Sequence, residues 1–234
     1  SYVGCRLVWP LDIALYYKTL FLVLLVILYC LPIMTFACYF NKIENNFTRT
    51  IAWLGYTGLG TITLLFFMQI SVDLLLLLQT LVAHKNKFDP QRRAFIGLSL
   101  KGIVGGLGAI GTVWGVYNAI KTPIIKKVGI PIPNLPQSLR EIRMAQITDL
   151  HVSTMITEKF VKRVTKKILD LNPDILFFTG DAADGSVKSY GKHMSSLAEI
   201  KPKYGKYFVT GNHEYYSDMN GWLRLIENLG FKIL

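Results

Sequence analysis

From Thr19 to Phe40 the chain runs 22 residues without a charge. As a helix that stretch is about 33 Å long, enough to cross a hydrocarbon core. Pro32 lies inside it and predicts a kink, which membrane helices tolerate. A second apolar stretch, Ile51–Ala83, holds Asp73 as its only charge, and a third, Ala94–Ile120, holds only Lys101. Short polar linkers, Asn41–Thr50 and His84–Arg93, separate them. The pattern predicts a membrane region, 1–120, with about three transmembrane helices at 19–40, 59–83 and 94–120. Trp9, Leu11 and Ile13, before the first span, fit an interfacial segment or the tail of an earlier span. Several long spans in succession do not fit a cleaved signal peptide.

Beyond residue 120 the pattern changes. Pro123, Pro131, Pro133 and Pro136 predict an extended linker over 121–140. Ile142–Thr148 reads as a strand. Thr157–Leu171 reads as a helix capped by Thr157, with Phe160, Val161, Val164, Ile168 and Leu171 at helical spacing. Asp174–Thr179 is a short buried strand, Ser189–Ile200 a helix, Lys206–Thr210 a third strand and Trp222–Leu229 a helix; Phe231–Leu234 begins a fourth strand. Strands alternating with helices predict an α/β layered domain with a largely parallel sheet over 141–234. The fold class is therefore N-terminal transmembrane α-helices followed by an α/β layered domain.

Composition narrows the function. The 234 residues are 51% hydrophobic and 18% charged, which excludes a disordered chain. The three cysteines, at 5, 30 and 38, leave the second half without any, so a disulfide scaffold is excluded. The net charge is +11, but the lysines are scattered and no aromatic-interleaved basic stripe is present, so nucleic acid is not an expected partner. The lipid bilayer is. Lys121, Lys126 and Lys127 suit anionic headgroups, or anchor the chain at the membrane edge and nothing more.

Charge also bears on orientation. Lys85, Lys87, Arg92 and Arg93 form the densest basic cluster beside a span, and the positive-inside rule puts them in the cytoplasm. Arg92-Arg93-Ala94-Phe95-Ile96 resembles a twin-arginine export signal or is an ordinary basic flank. Lys121, Lys126 and Lys127 argue the other way. The resulting expectation is a multi-pass protein of a bacterial cell (inner) membrane with its soluble domain outside the cytoplasm. Gly106-Leu107-Gly108-Ala109-Ile110-Gly111 matches a dinucleotide-binding fingerprint, but no strand precedes it, and small residues in a span read as close helix packing. Asp73 and Lys101, level with each other across the second loop, are expected to form an interhelical ion pair.

Each of the first three strands ends in a polar sequence: Asp149-Leu150-His151, Gly180-Asp181-Ala182-Ala183-Asp184 and Gly211-Asn212-His213-Glu214. Asp149 and Asp181 are 32 residues apart, and Asp181 and Asn212 are 31 apart, one strand-helix-strand step each. Parallel strands therefore gather these residues at one carboxyl edge, where open α/β sheets bind ligands. Carboxylate and imidazole together suit Zn, Mn or Fe better than Ca or Mg. His193, among polar residues, reads as a solvated surface histidine, and His84 as part of a basic membrane-edge loop without chemistry.

The order D-x-H, G-D-x-x-D, G-N-H-E over residues 140–234 resembles the calcineurin-like metallophosphoesterases, including their membrane-anchored bacterial branch. The resemblance implies two divalent metal ions, Mn, Fe or Zn. Asp149 and His151 would bind the first metal, Asp181 would bridge both and Asn212 would bind the second. His213 would protonate or stabilise the leaving oxygen, Asp184 would orient His213, and Glu214 would support the turn. Two metals clamp the attacking and leaving oxygens and lower the pKa of water towards ~7. The implied reaction is metal-dependent hydrolysis of a phosphoester or pyrophosphate bond. The membrane region favours a phosphorylated small molecule or a lipid-linked phosphate at the bilayer surface. The alternative is a non-catalytic membrane protein that uses an incomplete phosphoesterase-like domain for binding; a transport component is a further rival, on Asp73 and Lys101.

The family's later motifs, an isolated His and then G-H-x-H, have no match, since no His follows His213. The chain opens on Ser1 and closes on the apolar run Phe231–Leu234, so it reads as a fragment holding the first half of the catalytic domain. Alone it is expected to be inactive.

Overall fold

The computed structural model describes residues 1–40, 43, 45–82 and 90–234; His84 and the basic cluster's Lys85 and Lys87 lie outside the described residues. The chain divides into two compact units, Ser1–Ala119 and Ile120–Leu234.

The first unit is helical. Helix α1 spans Leu15–Phe40, α2 Asn46–Val82 and α3 Pro90–Ile120, and each is long and apolar enough to cross a membrane. Helix α2 begins earlier than the apolar pattern does. Asn45 Oδ1 accepts from the Thr48 amide at 2.9 Å and caps the first turn. Pro32 sits inside α1, and Gly55 of α2 packs against it: a Cβ there would lie 3.0 Å from the Leu31 backbone and 3.1 Å from the Pro32 nitrogen. The close approach of α1 and α2 thus depends on glycine. The segment before α1 forms a π-helical turn, Gly4–Val8, and Val3 packs with Leu25 and Ile62. Of the three glycines in the 106–111 motif, Gly108 and Gly111 lie against Leu65 and Leu64 of α2, while Gly106 faces open space. These two glycines pack helices.

The expected Asp73–Lys101 pair does not form. Asp73 is held by Arg6, whose Nε donates at 2.8 Å and whose Nη2 takes the other carboxylate oxygen. Tyr2 and Gln69 also donate to it, Gln69 Nε2 at 3.0 Å. The reason is the face of the helix, not the level. The contacts of Gly108 and Gly111 with Leu65 and Leu64 set an antiparallel register that does bring Lys101 level with Asp73. At 3.6 residues per turn, however, Asp73 falls on the face shared by Gly55, Ile62 and Gln69, turned towards α1 and away from α3.

The second unit is a four-stranded parallel sheet in the order β1 (Met144–Ile147), β2 (Ile175–Thr179), β3 (Lys206–Val209), β4 (Lys232–Ile233). Helix α4 (Glu158–Leu171) links β1 to β2, and its buried Val161, Val164, Thr165 and Ile168 recur at helical spacing. Asn172, in the left-handed conformation at φ 45°, ends it. Thr157 occupies the cap position, but its side chain accepts no hydrogen bond. Between β2 and β3 the chain forms a single turn, α5 (Val187–Tyr190), and then a 3-10 helix, Gly191–Glu199. One continuous α-helix over Ser189–Ile200 is therefore not what forms. Gly191, Met194, Leu197 and Ile200 are all buried and spaced by three, the period that lines up one face of a 3-10 helix. After β3 come α6 (Asn212–Tyr216) and α7 (Met219–Asn228).

All these helices pack on one face of the sheet. Ala145, Leu176, Phe178 and Phe208 point into the core they share with α4, the 3-10 helix and α7. Met144, Gln146, Phe177 and Tyr207 alternate onto the other face, where Phe177 and Tyr207 stack at 5.9 Å. His193 is half-buried and stacked 6.0 Å from the Tyr190 ring, so it is not a solvated surface histidine.

The first unit yields one expected outcome. Removing the guanidinium leaves Asp73 uncompensated in an apolar helix, so Arg6→Met should destabilise the helical unit by about 2.5 kcal/mol. Lys101→Met should leave it unchanged. Thermal unfolding of the full chain in detergent checks both, and Arg6→Met with Asp73→Leu should recover most of the loss.

Candidate metal centre

The three polar strand ends converge at the carboxyl edge of the sheet. The β1 and β2 loops continue the strand pairing beyond the strands themselves: the Asp149 amide donates to Gly180 O (3.2 Å), His151 to Asp181 O (3.0 Å) and Val152 to Ala182 O (2.9 Å). Between the two polar residues, Leu150 is buried and pins its loop to the core. Asp149, His151 and Asp181 all have positive φ, at 53°, 44° and 52°. Left-handed backbone at non-glycine residues is costly and clusters at functional sites.

The β2 and β3 loops touch through glycine. A Cβ on Gly180 (φ 76°) would lie 2.3 Å from the Gly211 nitrogen, and one on Gly211 would lie 2.1 Å from Asp181 Oδ1. Glu214, fully buried, locks this contact. Its carboxylate accepts from the amides of Gly211 (2.7 Å), Asp181 (3.1 Å) and Ala182 (2.7 Å). Asp181 Oδ1 in turn accepts from the His213 amide at 3.0 Å.

The side chains form two linked groups. His151 Nε2 lies 3.6 Å from Asp149 Oδ1 and 3.8 Å from Asp181 Oδ2, and the three residues offer donor atoms within 4.8 Å of one another. The Asn212 carboxamide is 3.0 Å from both oxygens of Asp181. Behind them, one oxygen of Asp184 lies 2.7 Å from Nδ1 of both His151 and His213. The two imidazoles meet edge to face at 4.6 Å, and Tyr216 stands 5.8 Å from the His213 ring. Trp222 Nε1, buried, donates to Gly185 O (3.0 Å) and Ser217 Oγ (3.1 Å), tying the chain after Asp184 to the chain after His213.

The donor set fits a divalent metal. With Asp184 accepting the Nδ1 proton of His151, Nε2 of His151 is left as a lone pair facing two carboxylates. A cation resolves that repulsion, and a metal-binding histidine commonly donates its other nitrogen to a carboxylate in this way. The His151 pKa points the same way. Burial favours its neutral form, but the Asp184 hydrogen bond and the charges of Asp184, Asp181 and Asp149 outweigh it and raise the pKa above the ordinary 6.5. Glu214 and Trp222 contribute more than the motif spacing conveys. Asp184 was expected to orient His213; its hydrogen bond is with His151 Nδ1, and His213 Nδ1 lies at the same 2.7 Å.

A calcineurin-like phosphoesterase profile matches residues 142–232. These residues form a calcineurin-like metallophosphoesterase domain. A zebrafish (Danio rerio) transmembrane protein with metallophosphoesterase domain is 34% identical over 127 residues, 54% of this chain and 29% of its own length. An uncharacterized metallophosphoesterase of Campylobacter jejuni is 31% identical over 172 residues, 73% of this chain and 44% of its own. The UDP-2,3-diacylglucosamine pyrophosphatase LpxG of Chlamydia muridarum is 33% identical over 85 residues, 36% of this chain and 26% of its own. The chain thus matches less than half the length of these three relatives. No solved structure matches it at a significant level. With three helices able to span a bilayer ahead of the phosphoesterase domain, the chain is a membrane protein.

Two outcomes follow. Metal binding must displace the His151 proton, so affinity should rise with pH, by up to about tenfold per unit while His151 is protonated, and level off above its raised pKa. Asp184→Asn should move that levelling to lower pH; metal titrations by competition with a chelating dye across pH 5.5–8.5 check both. Glu214→Gln places an amide against three backbone donors and should destabilise the soluble unit by about 2 kcal/mol, read by hydrogen exchange at the 180–183 and 211–213 amides.

Proposed function

We propose that this domain contributes to metal-dependent hydrolysis of a phosphoester or pyrophosphate bond. The observation that carries the reading is the convergence of Asp149, His151 and Asp181 beside His213, with one Asp184 oxygen against both imidazoles. Asp149 and His151 would hold a first metal, Asn212 would contribute to a second, and Asp181, between them, would serve both. Divalent metals, with Mn, Fe or Zn the best match to this mixed donor set, supply charge neutralisation of the phosphate oxygens and activation of water. Asp184, 2.7 Å from Nδ1 of His213, orients that ring, so that its Nε2 is left to deliver a proton to the leaving oxygen. Gly180 and Gly211 bring the two loops close enough to set Asp181 beside Asn212, where it would serve both metal positions.

The membrane region supports a substrate at the bilayer surface, a lipid-linked phosphate or a phosphorylated small molecule. The similarity to the Chlamydia UDP-2,3-diacylglucosamine pyrophosphatase supports the same class. We infer a bacterial cell (inner) membrane with the domain outside the cytoplasm, on Lys85, Lys87, Arg92 and Arg93 of the second loop.

Within residues 1–234 the second metal has only Asp181 and Asn212, without imidazole, so this chain by itself holds at most one metal and does not turn over substrate. The test compares chain 1–234 with the full-length protein for metal content and for hydrolysis of phosphomonoester, phosphodiester and lipid pyrophosphate substrates. In the full-length protein Asp181→Asn should lose metal and activity together. His213→Ala should keep the metal and lose about 10²–10⁴-fold in kcat. A metal-loaded full-length protein inert on all three substrate classes would favour the binding role instead. Two tight metals in chain 1–234 would overturn the ligand assignment.

A further inference from the structure

The linker between the last span and the sheet has the wrong surface for a soluble domain. Ile124, Ile125, Val128, Ile130 and Ile132 are 81, 41, 67, 64 and 50% exposed, and Pro123–Asn134 contains no buried position. Five large aliphatic side chains in nine residues of open chain are too many to leave in water without a counterpart. Lysines are interspersed, at 121, 126 and 127, and no acidic residue occurs between Ile120 and Glu141.

The linker is also not a loose tether. Arg163 of α4 donates from Nη2 to Ile120 O at 3.0 Å and from Nε to Thr122 Oγ1 at 2.8 Å; Lys167 Nζ donates to Pro123 O at 2.9 Å. These bonds strap the start of the linker along the polar side of α4. Further on, Ile125 and Lys127 face Lys167, Asp170 and Leu171 across an open cleft of about 630 Å³. The exposed positions of α4 add Lys159, Lys166 and Lys162, the last paired with Glu158 at 2.6 Å, so that basic groups outnumber the exposed Asp170. The result is a fixed surface of aliphatic side chains mixed with ammonium groups.

We infer that residues 121–132, backed by α4, are a second membrane-contact surface of this protein, one that inserts its isoleucines at the headgroup level and binds anionic lipid headgroups with its lysines. Three observations choose a lipid surface over a protein partner. The patch begins at the residue that follows α3, so the chain passes from the last apolar helix directly into it. Its charge is uniformly basic up to Arg140, complementary to an anionic leaflet. Its apolar side chains are aliphatic and shallow, with no aromatic anchor of the kind that dominates protein interfaces. The spans alone require none of this, because three apolar helices hold the chain in the bilayer without help.

The test uses the full chain in lipid nanodiscs, with Cys5, Cys30 and Cys38 replaced by serine. A spin label is placed in turn at Ile124, Val128 and Ile130, and at the exposed Lys192 as a reference. Accessibility is read by power saturation with oxygen and with a water-soluble nickel chelate. With phosphatidylglycerol in the disc, the three linker labels should be severalfold less accessible to nickel and more accessible to oxygen than the Lys192 label. Phosphatidylcholine alone, high salt, or Lys126→Glu with Lys127→Glu should abolish most of that difference. Linker labels as open to nickel as Lys192 in both lipids would overturn the inference. Protection equal in both lipids would overturn the headgroup preference that defines it. Protection that persists in detergent and grows with protein concentration would assign the patch to a second copy of the chain and likewise overturn it.

Discussion

One buried carboxylate holds the site together. Glu214 has no access to water, and it spends its charge on three backbone amides drawn from two different loops. Taking an ionised group out of water is costly unless every lone pair finds a donor, and here the donors are ones that the loops would otherwise leave orphaned at the strand ends. The arrangement works only because Gly180 and Gly211 lie back to back, with no room for a Cβ on either. Remove the glycines and the loops separate; remove the carboxylate and the three amides are buried unpaired. The G-D and G-N-H-E motifs are thus one structural unit, written in two places 31 residues apart.

From that clamp the donor geometry follows. Asp181 is fixed at its amide by Glu214 and at its carboxylate by the His213 amide, and its backbone stays at φ 52°. The β1 loop is then stitched to the β2 loop by backbone hydrogen bonds, which carries Asp149 and His151 to the same edge. Asp184 closes the group from behind, and the Trp222 indole fixes the chain that follows it. Strain at three left-handed residues is borne by a parallel sheet whose core side is filled with Leu176, Phe178 and Phe208. Rigidity at this edge is what metal ligation asks of a protein: donors held close together before the ion arrives.

Much of this was legible from the residues. Parallel strands with helical crossovers leave one register in which the polar strand ends share an edge, so Asp149, His151, Asp181 and Asn212 could be grouped before any coordinate was known. What was not legible depended on direction around an axis. Asp73 and Lys101 do stand level, but the side-chain face is set by three-dimensional packing of Gly55 on the Pro32 region of α1, and Arg6 lies far away in sequence. The 3-10 segment carried its own signal, buried residues at 191, 194, 197 and 200, a period of three that a helix-or-strand reading does not look for. Asp184 has two histidine partners because a four-residue loop returns its carboxylate between them, which spacing cannot convey. The 121–132 linker looked like punctuation, since its prolines hide the fact that Arg163 and Lys167, more than 40 residues on, hold it in place.

The two units solve opposite problems with the same small residue. In the helical unit the surroundings are as apolar as the side chains, so burial of leucine gains little and helices associate by close backbone approach, at Gly55 on Leu31 and at Gly108 on Leu65. In the soluble unit glycine is used where polar loops must meet, and the driving force is burial of Trp222, Phe178 and Ile226 beneath them. The linker belongs to neither regime. It has too many exposed isoleucines for water and too many lysines for hydrocarbon. Only the zone between the two, where aliphatic side chains reach acyl carbon and ammonium groups reach phosphate, satisfies both at once. A polypeptide that passes from one solvent to the other must cross that zone, and here Arg163 and Lys167 of α4 fix the form of its first residues as it does.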